Sequence, residues 1–357
     1  RNADLRADEA TDARLVADAN RLAAVAANAR PLDLSLLLAA AAVQLAPTPS
    51  TQDGLLAALL THRRAVAVHP ISTYVNETAL GRDGETMIMN VGGGERHVAL
   101  WEVGSPDAPR WIDDLWPDTL AASPDGRLLV AAAGSSGEPT IRVYRPDGER
   151  VLYLQGLADT AGWPRGIAFT DEGRLLVVYA TPGSEGSGWR AVLAEVDLDT
   201  GRVVPLHRLL RSESPDLWFT ADFNEDASEL VVWTVQDQSL ATRYDVRTGA
   251  AVPLKLVRRA ATSVDFIALR DETVQTWSDG AVTRYDASGN AVQELAGHTA
   301  LVRDVVEVRG GRGVATVGEG GQAQLWDVDR RSGRWTQAEP LAGHSGHIEQ
   351  AEVLHDG

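Results

Sequence analysis

The stretch Ser123–Val130, which reads SPDGRLLV, recurs as TDEGRLLV over Thr170–Val177, and this repeat decides the fold. In each copy a polar turn containing glycine precedes three apolar residues. Glycine supplies the positive φ that a tight connection between strands commonly requires. A weaker copy begins at Asn224, where Ala227 takes the place of the glycine. The repeat therefore predicts a tight turn followed by a buried strand, used several times along the chain.

Two further markers recur with the same spacing of about 40 to 50 residues. One is an apolar or aromatic residue followed by a polar one, which ends a strand before a turn; it occurs at Trp101, Tyr144, Val196, Tyr244, Tyr285 and Trp326. The other is the sequence LAGH, which occurs at Leu295–His298 and at Leu341–His344. Three independent markers with one period predict a single repeated unit of short strands.

These features resemble the WD-repeat (WD40) β-propeller family, in which Gly-His opens a unit and Trp-Asp stands near its end. The resemblance covers residues 64–357 and implies an all-β, WD40-like propeller. We count six four-stranded blades and then the first strand of a seventh, Ile348–Leu354. The family usually takes the outermost strand of its last blade from just before the first blade, where Ala65–Val68 stands. With the strands between these two absent, the ring is expected to stay open, with a sticky or disordered edge.

The same family often ties each blade with a hydrogen-bonded set of Trp, Ser or Thr, His and a turn Asp. The residues that match this structural set are His298, Thr316, Trp326 and Asp327 in the sixth unit, Asp279 in the fifth and His344 at the start of the seventh. Gly320 stands where the sixth unit would have its turn Asp. Because the set is incomplete, we expect apolar packing between sheets to hold the blades together.

Residues 1–63 follow a different periodicity and form a predicted α-helical lead-in of about three helices. Apolar residues recur at three- and four-residue steps between Ala7 and Arg30, and Pro31 ends that helix. Asp33 can cap a second helix through Leu45, and a third begins near Pro49. A helical spacer that packs on its neighbour is the simplest interpretation, with a partner-binding or membrane-proximal coil as the alternative.

The lead-in is similar to the helices before the carboxyl-terminal WD-repeat region of large actinobacterial signalling proteins. The residues that carry this second resemblance are Arg21–Ala24, Leu36–Ala39, Leu45–Pro49 and Leu55–Leu59. Such proteins commonly contain a STAND-type NTPase upstream. The resemblance implies that the chain is part of a longer bacterial signalling protein. Its location would be cytoplasmic, or tethered to or beyond the membrane by a helix outside this sequence.

Composition excludes several functions. The chain has 33 Lys and Arg against 50 Asp and Glu, a net charge of −17, and Lys255 as its single lysine, which disfavours nucleic acid as a ligand. It contains no cysteine, no apolar run long enough to cross a membrane and no glycine loop of the Walker type. Neither a nucleophile elbow nor a zinc-binding His-Glu-x-x-His occurs. We therefore predict no catalytic residue, no metal, no cofactor and no enzymatic activity.

The repeat register predicts a binding surface, because equivalent positions of successive blades converge on the rim of the central channel. The candidate rim residues are Asn76, Asp118, Arg165, Phe219, Asp265, Arg303 and Glu349, with Trp163 and Trp218 close to them. Acids, arginines, an amide and aromatic rings do not converge on one reaction, whereas a catalytic propeller is expected to aim matched groups at one substrate. The mixture favours recognition of a protein or peptide.

Three functions remain open at this stage. The first is a non-catalytic scaffold or sensor that binds a protein or peptide. The second is a propeller enzyme, or a propeller that holds a small ligand or metal in its channel. The third is an autoinhibitory lid on an NTPase of the same polypeptide. Convergence of the rim side chains on one ion would favour the second.

Overall fold

The computed structural model of the chain describes residues 2–27, 29, 32–61, 74–81, 84–92, 97–103, 105, 107, 109–134, 138–156, 163–182, 188–212, 219–234, 240–257, 263–308, 313–321, 323–329, 332–338 and 347–353. Two parts follow each other along the chain. Helices occupy the described residues up to Thr61, and strands begin at Val75. The division of the chain at residues 63 and 64 stays a prediction, because residues 62–73 lie outside the described ranges.

The first part consists of three helices, α1 (Asn2–Ala26), α2 (Leu32–Leu45) and α3 (Pro49–Thr61). They meet through small residues, with Ala26, Ala39 and Ala58 buried together. At Gly54 of α3 a Cβ would lie 3.0 Å from the Cβ of Ala23, so the close approach of α1 and α3 depends on this glycine. No described helix is both long and apolar enough to cross a membrane.

The second part contains six four-stranded antiparallel sheets within the described residues, each formed by four strands in chain order. We number these sheets as blades one to six. Blades one and two contain β1 (Val75–Leu80), β2 (Thr86–Val91), β3 (Val98–Glu102), β4 (Arg110–Asp113), β5 (Thr119–Ala122), β6 (Leu129–Ala133), β7 (Thr140–Tyr144) and β8 (Arg150–Gln155). Blades three and four contain β9 (Trp163–Phe169), β10 (Leu175–Pro182), β11 (Trp189–Val196), β12 (Val203–Ser212), β13 (Phe219–Phe223), β14 (Glu229–Thr234), β15 (Ala241–Asp245) and β16 (Ala251–Pro253). Blades five and six contain β17 (Ser263–Leu269), β18 (Glu272–Trp277), β19 (Val282–Tyr285), β20 (Ala291–Leu295), β21 (Val302–Val308), β22 (Gly313–Gly318), β23 (Ala323–Asp329) and β24 (Arg334–Gln337).

The turns predicted from the repeat are present between the first two strands of blades two, three and four. Gly126 and Gly173 have φ angles of 66° and 79°, and their N–H groups donate to Ser123 O and Thr170 O at 2.9 Å. Ala227, in the weaker copy, has the same left-handed conformation with a φ of 52°. Alanine tolerates this conformation less well than glycine. One backbone turn is therefore conserved across three blades although its sequence differs.

The hydrophobic core lies between the sheets. One cluster joins Val130 and Ile141 of blade two to Leu175 and Val177 of blade three, and similar clusters join blades one and two, three and four, four and five, and five and six. Because a blade packs on a neighbour with each face, its middle strands are apolar on both sides, as in the fully buried β6. The innermost strands of consecutive blades are also neighbours. The predicted four-stranded blades around an axis, held by apolar packing, are confirmed.

The innermost ring closes, which corrects the expectation that it stays open. Residues 347–353 lie between β21 and β1. Ala351 N donates to Asp304 Oδ2 of β21 at 3.0 Å, and Gln350 Nε2 donates to Thr78 O of β1 at 2.9 Å. The segment is not a regular strand as predicted for Ile348–Leu354, since no further strand of a seventh blade pairs with it in the described residues. Ala65–Val68 lies outside those residues.

Part of the predicted hydrogen-bonded set forms in blade six. The buried hydroxyl of Thr316 lies 2.7 Å from His298 Nε2 and accepts a hydrogen bond from Trp326 Nε1 at 2.9 Å. Burial lowers the pKa of His298, which favours the neutral ring. The other predicted members do not join this set. Asp327 is exposed, and Asp279 accepts a hydrogen bond from Ala281 N of its own turn at 3.2 Å. His344 lies outside the described residues.

Replacement of Thr316 by Val is expected to lower the free energy of unfolding by about 1–3 kcal/mol, because it leaves the buried indole N–H and imidazole without their partner. The matched control is Thr276→Val in β18. Thr276 is equally buried, and its hydroxyl has no hydrogen-bond partner in the described structure. We expect that control to be neutral or stabilising in urea unfolding. Equal losses at both positions would contradict a structural role for the set.

Candidate functional site

Two cavities follow the central channel, because the innermost strand of every blade runs alongside it. The upper cavity, of about 250 Å³, is lined by the first residues of these strands, and the lower cavity, of about 310 Å³, by their later residues. We call the side of the molecule where the innermost strands begin the upper face. In an antiparallel sheet the connection between the second and third strands lies at this same end. The upper face therefore also carries those connections.

The structure brings six of the seven predicted rim residues together. Those that line the upper cavity are Asn76, Asp118, Arg165, Asp265, Arg303 and Glu349. Phe219 is a correction: it is 1% exposed and packs in the core between blades three and four, while the next residue, Thr220, lines the cavity. Because successive side chains of a strand point to opposite sides, a shift of one residue moves a side chain from the core to the channel. Trp218 lies outside the described residues.

Local irregularities of the strands place several of these side chains at the channel mouth. The pairing of β1 shifts at Asn76, that of β9 at Arg165 and that of β21 at Arg303. A β-bulge adds a residue to one strand, so two consecutive side chains can approach the same side. Arg303 and the following Asp304 both line the upper cavity for this reason.

Opposite charges meet at the mouth. Arg303 Nε lies 3.4 Å from a carboxylate oxygen of Glu349, and its Nη2 also pairs with Glu319. Asp118 Oδ2 accepts a hydrogen bond from Gly134 N at 2.7 Å. Burial lowers the pKa of Arg165, and the charge of Asp118 opposes this effect. The mouth therefore presents two guanidinium groups among three carboxyl groups.

Aromatic side chains stand on the same upper face. Tyr74 and Trp116 precede β1 and β5 and are 57% and 43% exposed. The ring of Trp116 lies 4.2 Å from that of His97. Trp163, predicted near the rim, is half-buried; it lies 5.0 Å from the ring of Trp189 and 5.8 Å from the guanidinium of Arg165. Two exposed aromatic rings, on blades one and two, thus stand on the same face as the charged mouth.

A second set of channel residues was missed by the sequence interpretation. It comprises carboxylate and amide side chains that accept hydrogen bonds from backbone N–H groups of the next innermost segment: Glu77 from Leu120 at 3.0 Å, Asp222 from Ala268 at 2.8 Å, Asp304 from Ala351 at 3.0 Å, and Gln350 from Thr78. An innermost strand has no further strand on its channel side, so its N–H groups need other acceptors. These side chains connect one blade to the next.

The sequence signal for this set is an acidic or amide residue that directly follows a rim position near the start of an innermost strand. Glu77 follows Asn76, Asp304 follows Arg303, and Gln350 follows Glu349. The predicted rim position is the residue just before Glu77, Asp304 and Gln350. The repeat register predicted the position of the channel correctly. In these strands it selected the residue just before the one that makes the hydrogen bond between blades.

The channel raises the pKa of its carboxyl groups. Loss of hydration raises the pKa of Glu77 to about 8 and that of Glu352 to about 8, against opposing hydrogen bonds. The same cause raises the pKa of Asp265 to about 7, that of Asp304 to about 6, and that of Asp222 well above its usual range. Nearby carboxylates add to the effect. Glu77, Asp222, Asp265 and Asp304 are half-buried, whereas Glu352 is exposed.

Several channel carboxyl groups are used in hydrogen bonds between blades. Among the described residues, no group of three or more His, Cys, Asp or Glu is arranged to hold a metal ion. The carboxyl groups of the innermost strands are directed at backbone N–H groups of neighbouring blades. They are occupied by hydrogen bonds that hold the ring together.

Comparison with solved structures agrees with this architecture. The chain is similar to the WD40 repeats of RRP9, with a TM-score of 0.57, 12% sequence identity and coverage of 79% of this chain and 84% of that one. The fold is a WD40-like β-propeller. No protein-family model matches the chain, and no curated protein is similar to it in sequence. At this level of identity the likeness describes the fold of the propeller only.

The raised pKa of Glu77 predicts a stability that falls with increasing pH. Its folded-state pKa of about 8 exceeds the usual 4.5, so its contribution is complete below pH 4.5 and is lost as the pH rises through 8. Glu77→Gln keeps an acceptor for Leu120 N–H but does not titrate. Between pH 5 and pH 8 the free energy of unfolding of the wild type should fall by about 2 kcal/mol more than that of the variant. This figure already includes a reduction for screening by solvent.

Urea unfolding at several pH values measures this difference. The control is Glu102→Gln, which removes one charge from an exposed residue of β3 in the same blade. The control should follow the wild-type pH dependence. Parallel curves for wild type and Glu77→Gln would show that Glu77 titrates normally in the folded chain.

Proposed function

We propose that the propeller is a non-catalytic scaffold that binds a protein or peptide on its upper face. The observation that carries the proposal is the convergence of six predicted rim residues on one charged mouth, with exposed aromatic rings beside it. Trp, Tyr and Arg dominate the energetics of protein interfaces, and polar groups around them provide specificity. The upper face of this propeller has that composition.

Rigidity supports binding at this face. The blades are fixed by continuous apolar packing, and hydrogen bonds across the channel fix the starts of their innermost strands. A surface that is already ordered loses little conformational entropy when a partner binds. Residues from several blades can therefore act together as one preformed surface.

The partner that fits this mouth is polar and carries charges of both signs. Asp118, Asp265 and Glu349 offer carboxylates, and Arg165 and Arg303 offer guanidinium groups that can hold a carboxylate with two hydrogen bonds. A peptide with alternating charges and one apolar anchor would satisfy both sets. The aromatic rings of Tyr74 and Trp116 would contact the apolar anchor.

We further propose that the chain is the WD-repeat region of a larger bacterial signalling protein. The support is the similarity of its three-helix lead-in to the corresponding segment of actinobacterial proteins that contain a STAND-type NTPase. Under this proposal the chain acts in the cytoplasm, and an NTPase of the same polypeptide is one candidate partner of the upper face.

A displayed library of random peptides tests the scaffold proposal with a defined probe. The immobilised wild-type chain should enrich a set of peptides. Reversal of both mouth cations, in Arg165→Glu/Arg303→Glu, should weaken binding of those peptides at least about tenfold, because like charges then face the partner's carboxylates. The control Arg208→Glu/Arg334→Glu makes the same charge change on exposed residues of the outer strands β12 and β24. It should bind within about twofold of the wild type.

Two results would contradict the proposal. Failure to enrich any peptide, or equal binding by the mouth and outer-strand variants, would place recognition elsewhere. Loss of binding in a metal chelator would instead favour a channel that holds a metal. Circular dichroism of each variant should show that its strands are intact.

A further inference from the structure

Two arginines face each other at the upper end of blade three, away from the central channel. Arg190 of β11 lies directly opposite Arg211 of β12. Side chains of directly opposite residues leave the same side of a sheet, with Cβ atoms about 5 Å apart. Like charges in this arrangement repel each other and destabilise the strand pair. An anion bound between the two guanidinium groups would remove that repulsion.

A bulge in β12 brings a third arginine to the same side. Arg208 pairs with Val192, which lies two residues after Arg190, so four residues of β12 stand against three of β11. In a regular strand, residues three apart point to opposite sides, and the extra residue places Arg208 and Arg211 on one side. The two residues between them, Leu209–Leu210, both pack on the apolar cluster between blades three and four.

The three arginines are on the side of blade three that faces blade two, because Val192 packs in the apolar cluster between these two blades. Arg208 and Arg211 are exposed, and Arg190 is half-buried. We call Arg190, Arg208 and Arg211 the arginine corner. It lies on the two outer strands of the blade and outside both channel cavities.

The arginine corner lacks the carboxylate partners that arginines have elsewhere in the sheets. Arg243 Nη1 lies 3.4 Å from Glu229 Oε2 in blade four. Arg284 Nη2 lies 2.6 Å from Glu272 Oε1 in blade five. No carboxylate among the described residues forms an ion pair with a member of the corner. The corner is therefore a local excess of three positive charges on a chain whose net charge is −17.

We propose that the arginine corner binds a phosphorylated side chain of a protein partner. A phosphate monoester carries about −1.5 to −2 charge at pH 7 and three strong acceptor oxygens, whereas a carboxylate carries a single charge. Guanidinium groups can donate paired hydrogen bonds to phosphate oxygens. Three converging guanidinium groups match the charge and the acceptors of phosphate better than those of one carboxylate. The site is separate from the mouth and does not depend on the binding proposed there.

The position of the corner favours a phosphate that is attached to a protein. An open surface gives a small ion few contacts besides the arginines. A peptide can make more, because β12 is the outermost strand of its blade and one edge of its backbone is unpaired. Extended peptides can bind to such edges by pairing with the strand. The arginine corner would then select peptides that carry a phosphate beside this edge.

Three synthetic peptide libraries test the site, with serine, phosphoserine or glutamate fixed at the centre of otherwise random sequences. The immobilised wild-type chain should enrich phosphoserine peptides over both counterparts. Arg190→Ala/Arg211→Ala should weaken binding of the selected phosphoserine peptides at least about tenfold, because hydrogen bonds between charged groups are lost. Since this variant also removes opposed like charges, its thermal unfolding midpoint should not fall.

The matched control is Arg174→Ala/Arg202→Ala, which removes two guanidinium groups from the lower end of the same blade. It should bind the selected phosphoserine peptides as the wild type does. Equal losses in this control and in Arg190→Ala/Arg211→Ala would show that only the overall charge of the chain matters, and would overturn the site.

The variants of the scaffold test separate the arginine corner from the mouth. Arg208→Glu/Arg334→Glu should lose phosphoserine peptides while it still binds unmodified peptides, because Arg208 belongs to the corner. Arg165→Glu/Arg303→Glu should show the reverse pattern. Loss of phosphoserine peptides only in the mouth variant would place the phosphate at the mouth and overturn the proposal.

Two further results would contradict the proposal. Equal enrichment of glutamate or serine peptides would show that the corner does not distinguish phosphate. Inorganic phosphate should displace the selected peptides only at concentrations well above their Kd. Displacement at concentrations near that Kd would assign the corner to the free ion rather than to a protein.

Discussion

Packing of neighbouring blades face to face is the constraint on which the rest of this structure depends. The apolar clusters lie between sheets rather than within them, so a blade alone would expose most of its core. Side-by-side packing around an axis solves this for blades two to five, which have a neighbour on each face. The same packing explains why β6 of blade two is buried along its whole length.

The ring creates a second requirement at its centre. The innermost strands of consecutive blades are neighbours but do not pair as strands, so backbone N–H groups on their channel side need other acceptors. Side chains of Glu77, Asp222, Asp304 and Gln350 supply these acceptors. The cost is a concentration of carboxyl groups in a poorly hydrated space. Their raised pKa values are a consequence of this arrangement, and they link the stability of the ring to pH.

Other connections between blades depend on residues with no sequence signal. Arg284, 4% exposed, makes two hydrogen bonds to Glu272 within blade five and lies 4.8 Å from the ring of Trp335 in blade six. Gln293 accepts from Trp335 N and donates to Trp335 O. A buried arginine is tolerable when it is paired and hydrogen-bonded in this way. Such contacts supplement the incomplete hydrogen-bonded set centred on Thr316.

The amino-acid sequence by itself determined the repeated unit, the turns, the number of complete blades and the three leading helices, because these follow from local periodicity and turn chemistry. It also located the channel, since equivalent positions of a repeat must converge. Only the tertiary structure decided which of two consecutive side chains enters the channel. The innermost strands β1, β9 and β21 are bulged near their starts, whereas β13 pairs regularly and places Thr220 rather than Phe219 at the channel. The tertiary structure alone brought Thr78 next to Gln350 and Glu352. These residues are 272 and 274 positions away along the chain, so no local pattern could have predicted the contact.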